Sequence, residues 1–369
     1  MFRQIKGQDQ VISLLSTQIA NNRVAQAYLF HGQDGIGKHL TALYFGMGLN
    51  CLSSNQFKPC GVCNSCKKFL AYEHPDFFYV FASPNLQMTS DGEIKNNESR
   101  KQYLEHIENK INSPWKDLHS SGAVEIRKES ITMLSKRLEL SITEAKYRIV
   151  IIDDADLMNP STANAFLKKL EEPPPSTVLI LITERLSMML PTLISRCQQV
   201  YFKPLSSHII ESCLKDKFDI EANLAKTAAR IANGSLKEAA RIALDSSSEM
   251  RSLSLDILKQ AFEADDMAFY TFISKLRETL NAEKAKELIR FMTALVNDLV
   301  LVQTDPQRVT NIDQIEFLNS ISFQRTKISD NALDYLLVLQ DLNRKISGNV
   351  NLGLILIKLY NSLKSCLAV

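Results

Sequence analysis

The chain lacks both a long apolar run and an excess of charge of either sign. No stretch approaches the roughly 18 consecutive apolar residues that a membrane-spanning helix needs, so we expect no membrane association. Nothing in residues 1–10 resembles the charged-then-apolar start of a secretion signal. A formal net charge of +2 leaves no overall field that would draw the chain to nucleic acid. We therefore expect a cytoplasmic protein whose contact with any polyanion depends on a local basic patch.

The length of 369 residues is enough for two or three domains, each with its own core. In the first half of the chain, short apolar runs alternate with helical patterns, which predicts an α/β fold with a doubly wound parallel sheet. From about residue 203 onward no continuous β run remains. We expect an α/β domain over 1–203, a small helical domain over 204–245 and a larger helical domain over 246–369.

Residues 32–38 match the phosphate-binding pattern G-x-x-x-x-G-K, but the hydroxyl residue that should follow Lys38 is absent. An apolar run at 27–30 precedes the loop and a helical pattern at 40–50 follows it, which is the context that such a loop requires. An imidazole at position 39 is a poor ligand for Mg²⁺, which prefers oxygen. ATP or ADP is the expected ligand class, and whether either is bound stays open. The candidate loop residues are Gly32, Gly35, Gly37, Lys38 and His39.

A second acidic site follows the buried run at 148–152. Asp153 stands where a strand end holds Mg²⁺ through water, and Asp154 stands where a catalytic Glu would orient the attacking water. Aspartate is one methylene shorter than glutamate, so Asp154 is poorly suited to that task. An acidic strand end that caps the next helix is the alternative, and it explains one of the three aspartates at 153–156 but not all three. Together with His39, Asp154 predicts weak or absent ATP hydrolysis.

Four of the seven cysteines lie within sixteen residues, with the spacing C-x8-C-x2-C-x2-C. Without a secretion signal a disulfide framework is not expected. Four thiolates fill a tetrahedral Zn²⁺ shell and leave no open position, so this spacing predicts a structural zinc site. Four free thiols are the alternative. The predicted ligands are Cys51, Cys60, Cys63 and Cys66.

Residues 83–122 are polar and have few β-branched residues, which predicts a surface insertion. Tyr103, Ile107 and Ile111 form one weak helical stripe within it. Further on, Arg196 follows a predicted strand and loop at the edge of the α/β domain. An arginine at such an edge can stabilise phosphate charge in a neighbour's nucleotide site, although a surface salt bridge is the commoner role of a single arginine.

Taken together, these stretches resemble the clamp-loader family of the AAA+ ATPases. The likeness covers most of residues 1–245 in the right order, and it is loose beyond that, resting mainly on 349–359. Residues 164–197 carry the most specific part. Besides the four cysteines, the matching stretches are 5–8, 27–32, 74–76, 147–156, 164–174, 190–198 and 234–239.

The resemblance implies an AAA+ domain with an inserted zinc module, a helical lid and a helical collar that oligomerises. It implies a hetero-oligomer with motor subunits of the gamma/tau type and a delta subunit, which loads a sliding clamp onto primer–template DNA in the bacterial cytoplasm. In a non-motor subunit of this family, the arginine of the Ser-Arg-Cys motif reaches the ATP of the adjacent motor. That role falls on Arg196, the first sensor position on Thr183 and the second sensor position on Lys237.

Departures from the family's motor subunits decide between the remaining interpretations. A motor subunit would have Ser or Thr at 39, Glu at 154 and usually Arg at 237, and this chain has His39, Asp154 and Lys237. We therefore expect a stator that lends Arg196 to a neighbour and belongs to a DNA-directed DNA polymerase holoenzyme. An active ATPase motor subunit that tolerates His39, and an unrelated zinc-containing nucleotide-binding protein, are the alternatives.

Overall fold

A computed structural model describes most of the chain. The described residues are 2–54, 58–83, 89, 94–113, 124–244, 247–263, 267, 280–324, 328–346 and 351–367. Much of the insertion predicted at 83–122 therefore lies outside the described residues.

Five strands form one sheet, and fifteen α-helices are named over the described residues. The strands are β1 (Ala27–His31), β2 (Phe77–Val80), β3 (Arg148–Ile152), β4 (Thr177–Thr183) and β5 (Gln198–Tyr201). The helices of the first half are α1 (Asp9–Ala20), α2 (Lys38–Leu49), α3 (Asn64–Leu70), α4 (Asn97–Asn112), α5 (Lys128–Leu138), α6 (Pro160–Glu171) and α7 (Pro191–Ile194). The later helices are α8 (Ser207–Phe218), α9 (Ala222–Ile231), α10 (Leu236–Leu244), α11 (Ser247–Glu263), α12 (Ala282–Thr304), α13 (Ile315–Gln324), α14 (Ile328–Ile346) and α15 (Leu352–Leu367).

The sheet is parallel throughout and has the strand order β2-β3-β4-β1-β5. Every residue of β3 and β4 is buried, as expected for strands covered by helices on both faces. On one face, Leu134 of α5 and Phe166 of α6 belong to the core that includes Val150 and Leu179 of the strands. On the other face, α2 packs against β1, β3 and β4. The predicted doubly wound α/β fold is confirmed.

The strand order has a functional consequence, because parallel strands end at the same edge of a sheet. In the register of the sheet, His31 at the end of β1 pairs with Thr183 at the end of β4. Ile152 at the end of β3 pairs with Leu181, two residues before the end of β4. The glycine loop, the acidic residues after β3 and the end of β4 therefore meet at one edge.

Local sequence signals set several helix boundaries near this edge. Asn159 caps α6 by accepting a hydrogen bond from the backbone N–H of Thr162, and Pro160 begins the helix. Asn96 caps α4 in the same way, because its side chain accepts from the N–H of Ser99. The helix of the insertion thus has a defined start that the weak apolar stripe did not reveal.

The chain forms two compact units. One comprises Met1–Ile209 and Gly234–Glu238, and the other comprises Ile210–Asn233 and Ala239–Val369. In the second unit α12 packs against α11, α13 and α14, and α15 packs against α11 and α14, so it is an all-helical bundle. The division into three domains at residues 203 and 245 stays a prediction.

One strand of the sheet was not predicted from the sequence. β5 lies at the sheet edge, and only Val200 of its four residues is buried. An edge strand of this length has no continuous apolar run, so hydrophobic patterning gives it no signal. It nevertheless extends the sheet beside β1 and brings Phe202 against Phe30, with ring centroids 5.2 Å apart.

Candidate nucleotide and metal sites

The glycine loop joins the end of β1 to the start of α2, as the sequence pattern predicted. Gly32, Gly35 and Gly37 all have positive φ angles, of 142°, 73° and 96°, which L-residues with a side chain rarely adopt. A Cβ atom at Gly35 would lie 2.4 Å from the Cβ of Lys237, and one at Gly32 would lie 2.5 Å from the carbonyl oxygen of Phe202. Glycine is therefore required at these two positions for close packing as well as for backbone conformation.

Lys38 points back onto its own loop. Its ammonium donates to the carbonyl oxygens of Gly32 at 2.8 Å and Gln33 at 2.6 Å, and the residue is only 6% exposed. Burial lowers the pKa of Lys38, and the carboxylates of Asp34 and Asp153 oppose that effect. The lysine of the phosphate-binding pattern is thus bound within the loop.

The segment 234–238 lies against the glycine loop, next to Gly35. The carbonyl oxygen of Gly35 accepts hydrogen bonds from the backbone N–H groups of Leu236 at 3.0 Å and Lys237 at 3.3 Å. The ammonium of Lys237 donates to Asp34 Oδ2 at 2.8 Å. The residue at the second sensor position is therefore paired with an acid of the loop itself.

His39 and Asp153, two of the residues predicted to form the nucleotide site, lie together in the structure. His39 Nδ1 is 3.0 Å from Asp153 Oδ2, and its Nε2 is 2.5 Å from the hydroxyl of Tyr72. An imidazole whose Nε2 accepts a hydrogen bond from the Tyr72 hydroxyl carries its own proton on Nδ1, which faces the carboxylate. The hydroxyl of Tyr79 donates to the same Asp153 oxygen at 3.0 Å.

The insertion contributes two residues to this site that the sequence analysis did not select. Lys110 of α4 donates to Asp153 Oδ2 at 3.1 Å, and the ring of His106 stacks on Phe81 with centroids 3.6 Å apart and planes 3° apart. Burial and the nearby Lys110 lower the pKa of His106 to about 3, so its ring is neutral at physiological pH. His106 and Ser99 are the buried residues of α4, and the rest of this helix is partly or fully exposed.

The ionised form of the Asp153 carboxyl group is strongly favoured in this arrangement. Asp153 is 5% exposed, and burial by itself opposes its ionisation. The ammonium of Lys110 and the imidazole of His39 outweigh burial and hold the pKa of Asp153 well below its usual range. Asp154, the next residue, is exposed and has a left-handed backbone with φ 52°.

Thr183, the predicted first sensor, is bound to a third acid of the same turn. Its hydroxyl donates to Asp156 Oδ1 at 2.6 Å, and the guanidinium of Arg185 donates to Asp156 Oδ2 at 2.8 Å. Asp156 therefore ties the end of β4 to the turn that follows β3. The acidic string at 153–156 divides into one residue at the predicted cation position, one exposed residue and one structural residue.

Arg196 lies away from this cleft, just after α7. Its guanidinium is 2.7 Å from Glu171 Oε1 at the end of α6, and it donates to the carbonyl oxygen of Thr192 at 3.0 Å. The side chain of Arg196 is 38% exposed and that of Glu171 is 45% exposed. An exposed guanidinium held by one exposed carboxylate is free to exchange partners at low energetic cost.

The four predicted cysteine ligands form one cluster, and their sulfur atoms all lie within 4.8 Å of one another. Four sulfurs at about 2.3 Å from a central zinc lie about 3.8 Å apart, so the cluster fits one metal ion with little adjustment. Hydrogen bonds from the backbone N–H groups of Val62 and Cys63 lower the pKa of Cys60 to about 6. Burial raises the pKa of Cys51 and Cys66, so a bound cation is needed to hold all four as thiolates.

The stretch 74–76 has a structural role beside the cysteine cluster. Asp76 is 2% exposed and accepts hydrogen bonds from the backbone N–H groups of Thr143, Glu144 and Ala145 at 2.8, 2.8 and 2.9 Å. Those bonds outweigh the effect of burial and lower the pKa of Asp76. The acid thus fixes the loop that leads into β3.

The chain is similar to a protein-family model and to several known proteins. Residues 7–206 match the family model described as "DNA polymerase III, delta subunit". The chain is 25% identical to DNA polymerase III subunit delta' of Bacillus subtilis over 346 residues, which is 93% of this chain and 92% of that protein. It is 23% identical to DNA polymerase III subunit tau of Escherichia coli over 81% of this chain, but spans only 39% of tau.

Among solved structures, a DNA polymerase III gamma subunit-related protein from Thermotoga maritima shares the fold, with a TM-score of 0.50 and 15% identity. The match covers 96% of this chain and 99% of that one. The chain thus shares the fold of that structure. No helix in the described part of the chain is both long and apolar enough to cross a membrane. Because the family match takes in more than half of the chain, this protein belongs to the family of the DNA polymerase III delta subunit.

Proposed function

We propose that this chain is the non-motor, delta-prime-like subunit of a bacterial replicative clamp loader. It assembles in the cytoplasm with motor subunits of the gamma/tau type and a delta subunit, and supports the loading of a sliding clamp onto primer–template DNA. It supplies Arg196 to the ATP site of the adjacent motor subunit and hydrolyses little or no ATP itself. Near full-length similarity to a delta' subunit supports this assignment.

One observation supports different roles for the cleft of this chain and for Arg196. The predicted cation position holds His39 and an Asp153 already bound by Lys110, whereas Arg196 is exposed and held by one surface carboxylate. Catalysis of phosphoryl transfer requires charge stabilisation at the phosphate, and a guanidinium supplied by a neighbour is one source of it. Arg196 is chemically suited to that role, because its planar fork can pair with phosphate oxygens in two contacts.

The cysteine cluster has a separate, structural role in this proposal. Cys51, Cys60, Cys63 and Cys66 would hold one Zn²⁺ and close the short segment between α2 and α3. A bound zinc supplies cross-linking and charge compensation for four thiolates in a module too small for a core of its own. Nucleotide binding at the loop of Lys38 stays a prediction, with ATP or ADP as the expected ligand.

The test is reconstitution of the full chain with gamma/tau-type and delta subunits, with stoichiometry and ATP turnover measured together. Arg196→Ala should leave assembly intact and lower the DNA-stimulated turnover of the complex about a thousandfold, as expected for a trans-acting arginine. Arg196→Lys should recover little, because lysine lacks the guanidinium fork. Arg23→Ala, which removes an exposed arginine of the same unit, is the matched control.

Three outcomes would reject this function in whole or in part. Unchanged turnover in the Arg196→Ala complex would remove Arg196 from the mechanism. Steady ATP hydrolysis by the isolated chain, abolished by Lys38→Ala, would identify an active motor subunit instead. A chain that binds none of the clamp-loader subunits would belong to neither class.

A further inference from the structure

One carboxylate oxygen of Asp153, Oδ2, is surrounded by groups of this chain. Three donors or cations lie within 3.1 Å of its Oδ2 atom: the ammonium of Lys110, Nδ1 of His39 and the hydroxyl of Tyr79. Only Lys110 comes from the insertion, and it belongs to the last turn of α4. The ammonium that pairs with Asp153 therefore comes from the insertion between β2 and β3.

The aromatic contacts of α4 hold Lys110 at this point. His106, one turn earlier, stacks on Phe81 and lies 3.3 Å from the hydroxyl of Tyr79. Tyr103, a further turn away, stacks on Phe81 with centroids 5.6 Å apart. Tyr103, His106 and Lys110 lie along one face of α4, so the packing of this helix positions the ammonium of Lys110.

The charges around Lys110 keep it protonated. Burial works against its positive charge, but the carboxylates of Asp153 and Asp154 outweigh burial and raise its pKa. His106 adds no competing positive charge, because its ring is neutral at physiological pH. A permanent ammonium therefore faces the acid that follows β3.

The residues at this position do not fit Mg²⁺. In P-loop proteins the ion is held by a Ser or Thr hydroxyl after the lysine and by an acid at the end of a neighbouring strand. Here the hydroxyl is replaced by the imidazole of His39, and the acid, Asp153, is paired with an ammonium 3.1 Å away. Mg²⁺ requires oxygen ligands at about 2.0–2.1 Å in octahedral geometry, and it would have to displace Lys110 against charge repulsion.

We propose that the ammonium of Lys110 takes the place of the divalent cation at this P-loop, so that the site excludes Mg²⁺ and metal-assisted phosphoryl transfer. The insertion, through Lys110 of α4, is then the element that prevents metal-assisted catalysis at this site. This inference stands apart from the role of Arg196, because it concerns only the chain's own cleft.

Mn²⁺ is the probe, since the loss of its free six-line electron paramagnetic resonance signal counts bound ions on the full chain. Wild type should bind Mn²⁺ no more tightly than Asp153→Asn. Lys110→Met, which removes the charge and keeps the length, should gain one Mn²⁺ per chain, at least tenfold tighter than wild type. The double variant with Asp153→Asn should lose that gain. Lys101→Met, on an exposed face of the same helix, should behave as wild type.

Either of two results overturns the proposal. The first is a wild-type Mn²⁺ site that Asp153→Asn removes. The second is a folded Lys110→Met chain, as judged by its thermal unfolding, that binds Mn²⁺ no better than Lys101→Met. Lys110→Arg keeps the positive charge and should continue to exclude Mn²⁺. The comparison of wild type with Asp153→Asn remains decisive even where Lys110→Met does not fold.

Discussion

Replacing Glu171 with glutamine tests whether its ion pair restrains Arg196 before the arginine reaches a neighbour. The two side chains are 2.7 Å apart and both are more than a third exposed, so the pair is a surface ion pair worth about 0.2–1 kcal/mol. Arg196 must leave Glu171 in order to contact a phosphate on another subunit. Glutamine keeps the size of the side chain and one acceptor oxygen but removes the charge.

The expected effect follows from that energy. Because 1.4 kcal/mol corresponds to a factor of ten, the loss of 0.2–1 kcal/mol raises the population of released Arg196 by about 1.4-fold to fivefold. Turnover of the reconstituted complex should rise by the same factor, whereas Arg196→Ala lowers it about a thousandfold. The two variants therefore act in opposite directions and differ greatly in size.

The assay is steady-state ATP turnover of the reconstituted complex on primed DNA, at low and at high salt. The gain from Glu171→Gln should shrink at high salt, because the wild-type ion pair is then already screened. Glu172→Gln, which neutralises the adjacent exposed carboxylate, should change nothing. If Glu171→Gln lowers turnover as severely as Arg196→Ala does, Glu171 belongs to the productive arrangement and the restraint is refuted.

Two further predictions concern stability and metal content. Asp76→Ala should lower the free energy of unfolding by about 3 kcal/mol in chemical denaturation, because three backbone N–H groups lose a charged acceptor; Glu73→Ala, at an exposed position, should cost far less. Since the pKa of Asp76 is lowered in the fold, its contribution is fully present above the unfolded value of about 3.9 and is lost as pH falls through the folded value. The difference in unfolding free energy between wild type and Asp76→Ala should therefore decrease below about pH 4. A difference that stays constant with pH would contradict this account. Metal analysis should find one zinc per purified wild-type chain and none in Cys60→Ser, with Cys197→Ala unchanged; a wild type without zinc would require another account of the four cysteines.

Much of the α/β unit is predictable from the sequence because its signals are local. The continuous apolar runs that became β3 and β4 are typical of strands buried on both faces, and Pro160 marks the start of α6. The spacing of the cysteines required only short turns, so their convergence was also predictable. β5 escaped prediction because an exposed edge strand carries almost no hydrophobic pattern.

The candidate site was predictable only in part, because its partners are distant in sequence. Lys38, His39 and Asp153 were identified from motifs, but nothing local indicates that Lys110, 43 residues before Asp153, pairs with it. The weak stripe at Tyr103, Ile107 and Ile111 suggested a helix, and Tyr103 does lie on its packed face, but the stripe did not select the buried His106. The pairing of Arg196 with Glu171 is likewise set by how α6 and α7 pack.

The sequence alone determined the individual strands, the glycine loop with its missing hydroxyl and the four clustered thiols, because the signal for each lies in residues close together along the chain. Only the tertiary structure decided what pairs with Asp153 and what holds the exposed arginine. Those contacts join segments tens of residues apart, and their energies depend on burial and on distances of about 3 Å that exist only once the strands and helices have packed.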